Sequence, residues 1–174
     1  KVFFDKINRK VLSLIFPGQI NLQYNCSSSY QKIKQDIKAE LKEGWVHYDS
    51  PHMFTAIIYL SKQEDVGTTI VDPKHFTSTV VNVDIKDKFN LGIKVPNFKY
   101  KQNENNKQFK EAIKVNSKYN RILIFDSSQY HYVPNMISKD TTEDRLTIVC
   151  FFNSVSTETG IQFPIPEMRK NKEF

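Results

Sequence analysis

Residues 121–135, RILIFDSSQYHYVPN, place a short run of β-forming apolar residues just before a histidine, His131. Two other stretches, 53–61 (MFTAIIYLS) and 145–152 (RLTIVCFF), share this β-branched and aromatic character. Runs of this length and composition, bounded by polar residues, are typical of strands. The sequence therefore predicts a mainly β protein in which His131 lies at the end of a strand.

A histidine and an aspartate lie two positions apart, just before the stretch 53–61. On a strand, His47 and Asp49 would leave the same face and reach one ion. Two imidazoles and one carboxylate on one side of a metal leave other positions open, as in the facial triad of non-haem Fe(II) oxygenases. The pair alone is a weak signal, but its place beside predicted strands favours an iron site of His47, Asp49 and His131.

The same residues allow other structural roles. Asp49 is also suited to cap a turn before Ser50-Pro51, and Asp126 is a second carboxylate close to His131. The remaining histidines, His52 and His75, have no partner at ligand spacing, and we expect both in loops.

Arg145 opens a predicted strand whose neighbours are apolar on both faces. A guanidinium that points inward from such a strand needs an anion, and a carboxylate can accept two parallel hydrogen bonds from it. Thr147 lies on the same face as Arg145 and offers a hydroxyl to the same ligand. The alternative is an arginine at the sheet edge paired with Asp144 or Glu143.

The order of these motifs resembles a known family. His-x-Asp, a Tyr-Leu-Ser strand, Gly67-Thr68-Thr69, RILIFDSSQYHYVPN and RLTIVCFFN together are similar to the Fe(II)- and 2-oxoglutarate-dependent dioxygenases, nearest to their prolyl-hydroxylase-like branch. The resemblance covers about residues 44–70 and 119–153.

The resemblance implies a double-stranded β-helix, the jelly-roll or cupin-like fold, with N-terminal helices packed on the larger sheet. It implies that iron is bound by His47, Asp49 and His131, while Arg145 holds the distal carboxylate of the co-substrate 2-oxoglutarate. Thr147 matches the hydroxyl residue two positions after that arginine. Tyr59 is a further candidate contact to 2-oxoglutarate, or else a packed aromatic of a central strand.

The family's reaction consumes O2, converts 2-oxoglutarate to succinate and CO2, and usually leaves a hydroxyl on the substrate. We therefore expect a hydroxylase whose substrate is a peptide side chain or a small molecule. A nucleic-acid hydroxylase or demethylase is an alternative, based on the positive charge and the basic segment 99–118. A non-catalytic jelly-roll binding module is another.

Composition fits one domain across residues 1–174. The chain is 39% hydrophobic and has 25 basic against 19 acidic residues, which gives a net charge of +6. Two cysteines are too few for a disulfide framework, and no apolar run approaches membrane length. These features predict a cytoplasmic protein without a membrane segment.

Helical periodicity predicts two N-terminal helices. Phe4, Ile7, Val11 and Leu14 form the first stripe, and Tyr30, Ile33, Ile37 and Leu41 the second, with an N-cap at Ser27–Ser29. Residues 62–118 are expected to form an insert between core strands. Within it we predict a strand at 80–85, an exposed polar tip at 102–107 and a short helix at 106–115.

Overall fold

The computed structural model describes residues 2–37, 42–49, 51–75, 83–139 and 141–159. This part of the chain is mainly β, with seven strands in two antiparallel sheets and three helices. None of these helices is long and apolar enough to cross a membrane. In chain order the elements are α1 (Val2–Ile15), β1 (Gln23–Ile33), β2 (Phe54–Tyr59), β3 (Thr68–Pro73), α2 (Val83–Asn90), α3 (Phe98–Asn106), β4 (Phe109–Val115), β5 (Ile122–Asp126), β6 (His131–Tyr132) and β7 (Arg145–Ser156).

The first sheet has the strand order β1-β7-β2-β5. Its outer face is covered by α1, whose buried Val11 and Leu12 pack against apolar side chains of β2 and β7. Alternation sends the other residues of these strands to the opposite, inner face, where Ile57, Tyr59 and Val149 form a separate cluster. The predicted strands at 53–61, 121–126 and 145–152 are confirmed as β2, β5 and β7.

The second sheet has the order β4-β3-β6. It faces the inner side of the first sheet, because Phe125 of β5 lies 4.6 Å from the ring of His131 and the Tyr59 hydroxyl donates to Thr68 of β3. The segment around His47 adds a bridge to this sheet beside β6. Residues 62–118, expected as an insert, supply two of its strands, β3 and β4.

The prediction of a second N-terminal helix was wrong. Residues 23–33 form β1, which pairs with β7 along its whole length, and Leu41 lies outside the described residues. Ser27, Ser28 and Ser29 are weak helix formers, and the twelve-residue β7 needs a backbone partner on its free side. The hydrogen bonds of this long pairing outweigh the helical spacing of the apolar residues.

Three predictions within residues 62–118 were also wrong. Residues 83–90 are helical instead of continuing a strand from 80, and 80–82 lie outside the described residues. Residues 109–115 form β4 and not a helix. The segment 102–107 is no exposed tip, because it ends helix α3 with Gln102 and Asn105 buried. Asn-rich composition suggested a loop, but these amides bond to the backbone of a neighbouring segment.

Gly67 lies where the start of β3 meets the end of β4. A β-carbon at this position would overlap the carbonyl oxygen of Val115 and lie 2.8 Å from the Ser117 nitrogen. Both are backbone atoms and cannot rotate away. Only glycine allows this close approach, which also places the neighbouring Val66 carbonyl beneath Arg145.

We expect Gly67→Ala to lower the free energy of unfolding by about 3 kcal/mol, the upper range for overpacking. The matched control is Gly18→Ala, which meets nothing within 4 Å but has a φ of 80°. Left-handed strain alone should cost about 1 kcal/mol there. Urea denaturation of both variants measures the difference, and equal losses would contradict the close-approach explanation.

Candidate metal centre

Reciprocal backbone hydrogen bonds bring two distant histidines side by side. The His47 amide donates to the His131 carbonyl at 3.0 Å, and the His131 amide donates to the His47 carbonyl at 2.8 Å. Two residues later, the Asp49 amide donates to Ser127 at 2.7 Å. The two imidazole rings consequently lie 4.4 Å apart between centroids, with the Asp49 carboxylate beside them.

The three predicted metal ligands converge on one point. The Nε2 atoms of His47 and His131 lie 3.5 and 3.4 Å from the two carboxylate oxygens of Asp49. One ligand atom from each residue lies within 4.8 Å of the others, and no other group of three possible ligands occurs in the described parts of the chain. The side chains are largely shielded, with 21%, 11% and 6% exposure for His47, Asp49 and His131.

Backbone carbonyls fix which imidazole nitrogen faces the centre. His47 Nδ1 lies 2.7 Å from the Trp45 oxygen, and His131 Nδ1 lies 3.0 Å from the Gln129 oxygen. A carbonyl can only accept, so both Nδ1 atoms carry the proton and both Nε2 atoms present a lone pair. Such partners orient metal-ligating histidines and raise their basicity.

Burial keeps both imidazoles neutral. Desolvation lowers the pKa of His47 well below its usual value, and repulsion from His131, when that ring is protonated, and from Lys86 lowers it further. Desolvation also lowers the pKa of His131, although the Asp49 carboxylate opposes the shift. Two neutral nitrogens and a carboxylate therefore face one another as acceptors with no proton between them, an arrangement that a cation would stabilise.

Thr55 forms a hydrogen bond with the Asp49 carboxylate. Its hydroxyl donates to Asp49 Oδ2 at 2.9 Å and lies 2.9 Å from the Ser127 hydroxyl. Both hydroxyl residues are buried. No sequence motif pointed to Thr55 or Ser127, although strand alternation from Ile57 and Tyr59 places Thr55 on the inner face.

The competing residues have other roles in the structure. Asp126 Oδ1 accepts hydrogen bonds from the amide and hydroxyl of Ser128, both at 2.7 Å, and so closes the turn after β5. His52 bonds to Asn153 and stacks on Phe151, and His75 is exposed. The structure groups Asp49, not these residues, with His47 and His131.

Arg145 points into the protein. It is 4% exposed, and its Nε donates to the Val66 carbonyl at 3.1 Å. Its neighbour Asp144 instead pairs with Lys32 at 2.8 Å. Arg145 takes part in none of the ion pairs among the described residues, so no carboxylate of this part of the chain neutralises its buried guanidinium. Burial lowers its pKa, yet a guanidinium stays protonated in proteins.

Tyr59 and Thr147 lie near Arg145 on the inner face. They are opposite each other in the pairing of β2 with β7, and both are buried. The Tyr59 hydroxyl donates to Thr68 Oγ1 at 2.8 Å, and burial raises its pKa. The three predicted co-substrate residues therefore share one end of the inner face.

The metal ligands and Arg145 lie at opposite ends of one apolar surface. Thr55 contacts Asp49 at one end of β2, and Tyr59 stands at the other, about 14 Å away at the usual rise per strand residue. Between them lie Ile57 and its cross-strand partners Leu123 and Val149, while Phe125 and Phe151 pair with Thr55 itself. Apolar side chains therefore separate the His-Asp-His group from the buried guanidinium along the inner face.

Lys86 adds a positive charge beside the centre. It lies on α2, is partly buried, and its charge acts on both histidines and on Asp49. Desolvation lowers its pKa, while Asp49 opposes that shift. No sequence pattern pointed to Lys86, which follows the strand predicted at 80–85 and lies in a helix that was not predicted.

Residues 40–152 match a family of unknown function, DUF6445. The chain belongs to this family. The matched region contains all three converging ligands together with Tyr59, Arg145 and Thr147, so the whole candidate site lies within the shared domain. Among curated proteins, none matches the chain.

We expect His47→Ala, Asp49→Ala and His131→Ala each to abolish tight Fe(II) binding while the β-rich circular dichroism spectrum persists. Each variant removes one of the three converging ligand side chains, whereas other residues provide the packing of the strands. Anaerobic calorimetric titration with Fe(II) measures the effect. His52→Ala and Asp126→Ala are the matched controls and should bind as the parent does. Loss of binding in Asp126→Ala with retention in Asp49→Ala would reassign the carboxylate ligand.

Proposed function

We propose that this chain is an Fe(II)- and 2-oxoglutarate-dependent dioxygenase that hydroxylates a peptide side chain or a small molecule. The observation that carries the proposal is a His-Asp-His group on the same inner face as a buried arginine that pairs with no carboxylate of the described residues. Either feature alone has common structural explanations. Together they match the two binding needs of this reaction, a ferrous ion and a dicarboxylate.

The strand order supports a double-stranded β-helix. Counting the His47 segment as the second of eight segments, the first sheet has the order 1-8-3-6 and the second has 2-7-4-5. The four segment pairs 1-8, 2-7, 3-6 and 4-5 therefore alternate between two facing sheets, as in jelly rolls. In that fold the ligands would come from segments two and seven, which are the segments of His47 and His131.

The donor set fits ferrous iron. Two neutral imidazoles and one carboxylate, all on one side, are the facial triad with open positions that non-haem Fe(II) oxygenases use. Hydrogen bonds to Trp45, Gln129 and Thr55 hold the donors in place without a metal. When bound, iron would supply the activation of O2 that couples 2-oxoglutarate decarboxylation to substrate oxidation.

The roles of the remaining residues follow from their places. Arg145 would bind the distal carboxylate of 2-oxoglutarate through the nitrogens that do not contact Val66, and Thr147 would add a hydroxyl contact. Tyr59 would contact the same end, although its hydroxyl already donates to Thr68. The apolar residues between the two ends would exclude water from the bound co-substrate.

The substrate class is proposed as peptide or small molecule. Two lysines of the basic segment 99–118 are paired with glutamates, Lys99 with Glu43 and Lys107 with Glu104. The segment is therefore a weaker surface for nucleic acid than its composition suggests.

Anaerobic addition of Fe(II) and 2-oxoglutarate tests the proposal. We expect a visible metal-to-ligand charge-transfer band that requires both components and is absent from Asp49→Ala. Succinate formation on admission of O2 would then report turnover. Iron binding without any band, and without succinate, would favour a non-catalytic binding module.

Arg145→Lys should weaken 2-oxoglutarate binding about tenfold to a hundredfold, because a single-point ammonium replaces a bidentate guanidinium at a cost of about 1.5 to 3 kcal/mol. Iron affinity should change little, since the triad is untouched. Titrating the charge-transfer band with 2-oxoglutarate measures the shift. The control is Arg121→Lys, an exposed arginine bonded to the Asn116 carbonyl, which should behave as the parent. Unchanged affinity in Arg145→Lys would remove Arg145 from the co-substrate site.

A further inference from the structure

The strand-like segment that carries His47 has two edges. One edge faces β6 and the residues after it, where the Gly44 amide donates to Val133 at 2.8 Å and His47 exchanges hydrogen bonds with His131. The amide and carbonyl of Val46 face the other way. No strand of the described chain pairs with that second edge.

Side-chain amides of helix α3 bind this second edge. The Val46 amide donates to Asn106 Oδ1 at 2.9 Å, and Asn105 Nδ2 donates to the Val46 carbonyl at 3.0 Å. Asn106 Nδ2 also donates to the Gly44 carbonyl at 3.0 Å. Two consecutive helix residues thus supply the acceptor and the donor that a neighbouring strand would normally provide.

A second set of contacts lies one turn earlier on the helix. Gln102 Nε2 donates to the Glu43 carbonyl at 2.8 Å, and Lys99 pairs with the Glu43 carboxylate at 3.0 Å. Gln102 is 2% exposed. These contacts anchor the start of the segment, four residues before His47.

Each peptide group beside Val46 joins an α3 amide to the metal centre. The Trp45 carbonyl, which accepts from His47 Nδ1, belongs to the same planar peptide as the Val46 amide held by Asn106. The Val46 carbonyl, held by Asn105, belongs to the same peptide as the His47 amide that donates to His131. Rotation of either plane would break a contact at both ends.

We propose that Asn105 and Asn106 are positioning residues that fix the tautomer and direction of the His47 imidazole. Asn106 sets the plane of the carbonyl that holds Nδ1–H, and so keeps the Nε2 lone pair aimed at Asp49. Asn105 sets the plane that places the His47 backbone against His131. The assignment of His47 as a metal ligand rests on the proposed function, whereas the control of its ring does not.

The first test determines the tautomer of the His47 imidazole in the metal-free protein. In the ¹⁵N imidazole spectrum of the metal-free protein, His47 should be a single Nδ1–H tautomer. Asn106→Ala should give a mixture of tautomers, because the Trp45 carbonyl loses its fixed plane. Asn103→Ala, an exposed residue of the same helix, is the matched control and should keep the parent spectrum. A single unchanged tautomer in folded Asn106→Ala overturns the proposal.

The second test separates positioning from general stability. We expect Asn106→Ala to weaken Fe(II) binding about tenfold, as loss of an outer contact to a metal ligand does. Gln102→Ala removes a buried amide contact of the same helix farther from His47, and should lower stability similarly with little loss of affinity. Equal loss of affinity in the two variants would show that the helix acts only through stability.

The third test uses the parent protein, so it does not depend on the folding of a variant. Amide exchange in the parent should protect the Val46 amide as strongly as that of His47, since each has a hydrogen-bond acceptor. Rapid exchange at Val46 alone would overturn the proposal. If the parent does not bind Fe(II) but the tautomer and exchange results hold, the proposed function fails and the positioning of the ring stands.

Discussion

The reciprocal hydrogen bonds between His47 and His131 are the constraint on which the rest of the site depends. They join two segments that are far apart in sequence. Once formed, they fix the separation of the two rings and bring Asp49 against Ser127 and Thr55. Strand-type backbone contacts that join the His47 segment to the second sheet hold the two histidines, and the Asp49 amide bonds to the turn residue Ser127.

Sequence patterns predicted those parts of the fold in which local preference and tertiary environment agree. β2, β5 and β7 are rich in β-branched and aromatic residues. β2 and β7 lie in the middle of the first sheet, and β5 pairs with β2 at its edge. β1 and α3 went unpredicted because their local signals point elsewhere. A serine-rich edge strand depends on the long β7 partner, and an asparagine-rich helix depends on backbone groups that its amides satisfy.

The candidate site was predictable to the extent that its chemistry depends on residue type and spacing. The sequence alone shows a His-x-Asp pair, a histidine after an apolar strand and an arginine at the start of one. It does not show which groups hold these side chains in place, because Trp45, Gln129 and Val66 act through carbonyl groups that every residue possesses. Side-chain identity carries no information about such contacts, and only the fold brings them to the site.

Repulsion and desolvation act at both ends of the inner face. Three acceptors converge at one end, and at the other lies a buried guanidinium that pairs with no carboxylate of the described residues. Burying such groups costs free energy unless they are paired, so the surrounding packing and the backbone-anchored hydrogen bonds must offset it. Under the proposed function, Fe(II) and the 2-oxoglutarate dianion would pair both groups, so their binding would raise the stability of the domain.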